Sequence, residues 1–241
     1  MLQALGWGAL AAASLPLGAG LAFARRWPDR WVGIVLAFGA GALISAISFS
    51  LALEGAQVGG LDTTAIGLGA GALTYYLLDG WIAAGHAGGR GRRGRSGADD
   101  AGPALALGAF LDGVPEQMAL GIGLAAGEGS VGLLVAIFIS NLPEAIGSAS
   151  DMERAGTSRE AIMRLWLAVA VICTLATLFG YGAAHAASGD FKAIIDGFAA
   201  GALIVMLIDS MVPEATKDAG RAAGLVTTLG FALATALANV S

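Results

Sequence analysis

Two short stretches hold most of the chemistry available to this chain. Phe110-Leu111-Asp112-Gly113-Val114-Pro115-Glu116 and Phe138-Ile139-Ser140-Asn141-Leu142-Pro143-Glu144 align without gaps at an offset of 28. In each, a glutamate follows a proline, and an oxygen-bearing side chain stands four residues earlier: Asp112 before Glu116, Ser140 before Glu144. Residues at i and i+4 lie on one face of a helix, about a turn apart. Asn141, three before Glu144, shares that face approximately. Facing helices would therefore enclose an oxygen-rich cage built from Asp112, Glu116, Ser140, Asn141 and Glu144. Carboxylates brought together away from water need a cation between them. The same spacing recurs in Ser50 and Glu54, and again in Ser210 and Glu214. Together with Asp209, these four mark a candidate path leading to or from the cage.

The prolines sharpen the reading. Pro115, Pro143 and Pro213 are each followed by a glutamate. A proline inside a helix removes one backbone hydrogen bond and disturbs the turn before it. The carbonyl groups of Leu111, Ile139 and Asp209 thus lose their usual partners, and a bound ion is one way to satisfy them. The competing reading is an ordinary kink whose glutamate is protonated or reaches water. It weighs more on Glu54 and Glu214, which lie nearer the ends of their segments.

The elements that must position these groups are apolar. The chain has 241 residues, 56% apolar and 13% charged, with 38 glycines and a mean hydropathy of +0.75. A soluble domain carries about a quarter charged residues. Glycine and alanine let membrane helices approach closely. Eight apolar stretches approach or exceed the roughly 20 residues a bilayer requires: 2–24, 32–53, 64–85, 103–126, 130–150, 161–187, 191–213 and 220–240. The separators are short and polar, so the expected architecture is all-α: one eight-helix transmembrane domain over 1–241. The first stretch has no basic residue before it, and Arg25 and Arg26 follow it, which reads as a span rather than a cleaved signal. Lys and Arg collect on cytoplasmic loops. Of the 13 basic residues, all but Lys192 fall on, or at the edges of, the loops after the first, third, fifth and seventh stretches. That asymmetry places those loops in the cytoplasm and both termini outside.

A second internal match supports the count. Phe38-Gly39-Ala40-Gly41-Ala42-Leu43-Ile44 aligns with Phe198-Ala199-Ala200-Gly201-Ala202-Leu203-Ile204 at an offset of 160, which also sets Ser50 on Ser210 and Glu54 on Glu214. In the expected topology, spans 2 and 7, and likewise spans 4 and 5, run in opposite directions. Inverted repeats with sites near the midplane are a recurrent transporter architecture.

Other residues point less sharply. Asp79 and Asp196 lie near span ends, where a solvated helix-end role competes with a functional one. His86 and His185 read as surface histidines, and Trp7, Trp31, Trp81 and Trp166 as interfacial belt residues. The single cysteine, Cys173, excludes a disulfide framework or a Cys-rich zinc site and reads as a packing residue. No phosphate loop, His-Glu-x-x-His helix or nucleophile elbow occurs.

In these features the chain resembles the ZIP (Zrt/Irt-like) metal transporters. That family has eight spans with both termini outside and metal ligands around Pro-Glu on the fourth and fifth spans. Its fourth-span pattern is typically His-Asn-x-Pro-Glu-Gly, against Asp112-Gly113-Val114-Pro115-Glu116-Gln117 here. A similar His-x-x-Pro-Glu on the fifth becomes Ser140-Asn141-Leu142-Pro143-Glu144. The resemblance implies that Asp112, Glu116, Ser140, Asn141 and Glu144 occupy ligand positions. Gly113 replaces a side-chain ligand, and both histidines are missing. It further implies an elevator mechanism, in which spans 1, 4, 5 and 6 slide against 2, 3, 7 and 8, and a homodimer. The expected function is carriage of divalent metal across the cell membrane, with no enzymatic activity, prosthetic group or nucleic-acid partner. Zinc is the family default, while an oxygen-only ligand set suits harder ions such as manganese, with iron also open. The alternatives are a membrane-embedded metal-dependent hydrolase, disfavoured by the lack of intramembrane histidine, and a non-transporting metal-binding relative.

Overall fold

The computed structural model describes residues 1–25, 27–87, 101–127, 131–187 and 189–238, with the side chains of 82–87, 101–112 and 151 outside the description. Among the described residues every regular element is helical. Joined where the backbone stays helical, they form α1 (Leu2–Ala24), α2 (Asp29–Gly59), α3 (Leu61–Ala87), α4 (Ala101–Ala125), α5 (Val131–Arg154), α6 (Arg159–Ala186), α7 (Asp190–Ala219) and α8 (Ala222–Ala238). Of these, α1, α2, α5, α6 and α7 are long and apolar enough to cross a membrane. Large apolar side chains such as Leu73, Leu77, Val171, Leu175, Leu225 and Leu229 face outward, as lipid-facing residues do. The protein is a polytopic α-helical membrane protein.

Packing joins the helices into two groups bridged by α5, which packs on α2 as well as on α1. α4 packs most extensively on α6, and α1 lies against α5 and α6; α3 packs on α7, and α2 on α8. Glycines set the closest approaches. A Cβ at Gly67 or Gly71 of α3 would strike the carbonyl of Ile194 or Phe198 on α7, and one at Gly197 or Gly201 of α7 would strike that of Thr64 or Leu68 on α3. Each helix contributes two glycines four residues apart, so the two backbones interlock, as small residues allow in lipid. Across the two groups, α2 meets α5 where a Cβ at Gly39 would come 2.9 Å from Ser140.

The segments matched at an offset of 160 share further features. Both α2 and α7 pass from α- to π-helix, at Ile47–Leu53 and Leu207–Met211. Both end at a glycine with positive φ, Gly60 at 88° and Gly220 at 58°, the backbone state glycine adopts without penalty. π-Segments are rare and recur at functional sites. These enclose or adjoin Ser50, Glu54, Asp209, Ser210 and Glu214.

One tryptophan departs from expectation. Trp31 and Trp81 are exposed, as belt residues are, but Trp166 is 1% exposed. It lies two turns before Cys173 on α6, facing the bundle interior rather than the interface.

Candidate metal centre

The two Pro-Glu helices meet at Glu116 and Ser140. α4 runs on through Pro115 and α5 through Pro143, so neither proline ends its helix and each carries its glutamate inside the bundle. Glu116 is 1% exposed, and Ser140 and Asn141 are buried beside it. The Ser140 hydroxyl stands 3.4 Å from Glu116 Oε1 and 3.5 Å from Oε2, and it also donates to the Ile137 carbonyl at 3.0 Å. A hydroxyl has one proton to give, and the carbonyl is its nearest acceptor. The carboxylate contacts are long for an O–H···O bond. Two oxygens bound to one tetrahedral dication, each about 2.1 Å from it, stand about 3.4 Å apart. The pair is therefore spaced for a shared cation better than for a closed hydrogen bond.

The remaining expected ligands fall as follows. Asn141 Nδ2 is buried without a hydrogen-bond partner among the described residues, and a half-turn of that amide would present its oxygen instead. Glu144 is half-buried one turn further along α5. Asp112 belongs to α4, but its side chain lies outside the description, as does the 88–100 part of the Arg-rich loop. Among the described residues no three His, Cys, Asp or Glu side chains gather closely enough to hold a metal. The described candidate donors are thus Glu116 with the Ser140 hydroxyl beside it, Asn141, and Glu144 one turn along α5.

Beyond Glu144 a polar route continues. A Cβ at Gly147 would lie 3.9 Å from Glu214 Oε1 of α7, so Glu214 reaches across to α5 one turn past Glu144. It lines a cavity of about 220 Å³ with Asp29, Ser150, Arg154, Lys217 and Asp218. This cavity draws residues from the ends of the first, fifth and seventh separators. Asp209 is exposed, and Ser50 and Ser210 are half-buried.

Glu54 sits elsewhere. It accepts from Lys192, which also donates to Asp196 at 2.9 Å. All three side chains are nearly buried, Asp196 completely. Asp196 is therefore part of an interior ion cluster rather than a solvated helix end. Lys192, the one basic residue off the odd-numbered loops, has a structural reason to be there. His185 is exposed and stacks on Tyr181.

Sequence reasoning missed the wall supplied by α6. Thr177 donates to Gln117 Oε1 at 2.6 Å, both fully buried. One turn back, a Cβ at Gly113 would come 2.9 Å from Cys173 Sγ. The available signal was the i, i+4 spacing of Cys173 and Thr177, matching that of Gly113 and Gln117.

Fold and interior together define a membrane-embedded helical bundle with carboxylates held on paired, proline-bearing helices. The family model described as ZIP Zinc transporter matches residues 96–238, more than half of the chain. A curated relative from Arabidopsis thaliana, whose name reads "Putative zinc transporter", is 31% identical over 212 residues, covering 86% of this chain and 34% of its own length. The chain thus spans about a third of that relative. It belongs to the ZIP family, whose members are metal-ion transporters rather than enzymes.

Proposed function

We propose that this protein carries divalent metal ions across a membrane by alternating access, through a site between α4 and α5. The observation that carries this reading is the buried Glu116–Ser140 pair, drawn from two Pro-Glu helices at a separation that suits one bound dication. A buried carboxylate alone is costly in lipid; a dication offsets that cost, and Ser140, Asn141 and Glu144 complete its shell with Asp112. The metal is cargo, and no prosthetic group is required. From the site the path continues past Gly147 to Glu214, with Asp209 and Ser210 on the neighbouring π-segment. On the other side, Ser50 leads to Glu54, held at the outer end by Lys192.

All eight helices span the bilayer as one domain. α2 and α7 act as inverted repeats, as do α4 and α5, and both termini lie outside. The convergence of the first, fifth and seventh separators on one cavity supports a single cytoplasmic face for the odd-numbered loops. The packing groups suggest which parts move: α1, α4, α5 and α6 slide as an elevator against α2, α3, α7 and α8, and the second group forms a homodimer. The cargo is zinc with relaxed selectivity toward manganese and iron, because the assigned donors are oxygens.

Uptake of labelled Zn²⁺ into proteoliposomes, with unlabelled Zn²⁺, Mn²⁺ and Fe²⁺ as competitors, tests this. Saturable uptake that all three metals compete for is expected. Uptake no greater than that of protein-free vesicles would refute a carrier.

A further inference from the structure

We propose that Cys173 is a metal ligand of this site, adding one soft sulfur to its oxygens and tilting it toward zinc and cadmium. This rests on the metal-carrier reading and names a specificity-determining residue within it.

The geometry starts from α4. Gly113 and Glu116 are three residues apart, on nearly one helix face. Gly113 has no side chain to offer there. A Cβ at that position would meet Cys173 Sγ at 2.9 Å, the one contact within 4 Å among the described residues outside its own stretch of helix. The sulfur, delivered from α6, thus fills the room that a ligand side chain at 113 would need. The register that puts it there is fixed one turn on, where Thr177 bonds to Gln117; both pairs are separated by 60 positions. Cys173 is fully buried, so this placement is not a surface accident.

Two further observations point to a ligand. Gln117 is 0% exposed on this same α4 face, and its Nε2 has no hydrogen-bond partner among the described residues. An amide donor one turn along α4 from Gly113 has a use if the sulfur carries the charge of a metal thiolate. Asn141 Nδ2, on the α5 side, is also buried and without a partner among the described residues. Cys173 would add one sulfur to the oxygen donors of the proposed site, from which a tetrahedral zinc takes four ligands. Binding the sulfur as thiolate releases the thiol proton to water. Thiolate selects softer metals, whereas carboxylate and hydroxyl suit manganese.

Purified full-length protein titrated with Cd²⁺ tests this, with the ultraviolet sulfur-to-cadmium charge-transfer band as readout. The band is expected in wild type and absent in Cys173→Ser. Zn²⁺ affinity in Cys173→Ser should fall about tenfold or more, the scale on which metal sites respond to losing even an outer partner, with Mn²⁺ affinity little changed. Gly113→Ala should weaken Zn²⁺ in the Cys173 background by displacing the sulfur, and not in Cys173→Ala. Equal melting temperatures in metal-free buffer would show that both variants fold. Cd²⁺ binding without the band, or an unchanged Zn²⁺ to Mn²⁺ ratio in Cys173→Ser, overturns the sulfur ligand while leaving the carrier intact. No metal binding by wild type, or full binding by Glu116→Gln, overturns the site itself.

Discussion

A carboxylate as deeply buried as Glu116 needs a proton or a cation to be stable in a lipid-embedded bundle. Its position was legible from sequence because Pro-Glu, with an oxygen donor one turn back, is a local pattern on each helix. Glu144, Ser140 and Asn141 were legible on the same ground. Cys173 was not. Its role depends on what stands opposite, and Gly113 is 60 positions away. Selectivity belongs to this scale. Replacing both Asp112 and Ser140 by histidine adds nitrogen donors, which zinc prefers over manganese. The double variant should favour Zn²⁺ over Mn²⁺ more strongly than wild type in competitive uptake. An unchanged preference would mean that those two positions do not touch the metal.

Between helices, the sequence repeat at an offset of 160 anticipated more than it stated. Matching π-segments and matching glycine termini follow at the same offset, although no local pattern announces a π-helix. The interior ion cluster was missed for a different reason. Glu54 and Lys192 are 138 positions apart, and each alone reads as a polar residue near a span end. Trp166 was misplaced because belt assignments use depth along a helix, whereas burial depends on which face the residue occupies. Lys192 clamps α2 to α7 through two buried carboxylates, and removing one partner of a buried pair costs about 3–5 kcal/mol. Lys192→Met should therefore lower the melting temperature clearly, and adding Glu54→Gln and Asp196→Asn should recover part of the loss. Wild-type stability in the single variant would mean that the cluster contributes little.

For the whole molecule, hydropathy carried the elements, and the charge pattern predicts an orientation that labelling can test. The apolar stretches and the observed helices coincide to within a few residues, apart from longer ends on α2, α5 and α7. Tertiary contacts then separate the helices into two groups that meet at Gly39 and Ser140, beside the candidate site. Single cysteines at Ser96 and Ser130 in a Cys173→Ala background report the topology. An impermeant thiol reagent on intact cells should label position 130 and spare 96, and the reverse would invert it.

The most direct measurement is labelled Zn²⁺ uptake into proteoliposomes reconstituted with equal amounts of wild type, Glu116→Gln and Glu144→Gln. The amide keeps the shape of each side chain and removes the charge that offsets a dication. Saturable uptake by wild type, reduced about tenfold or more in both variants with unchanged melting temperatures, is expected from a ligand role. Uptake by both variants at the wild-type rate would show that the metal does not pass between α4 and α5.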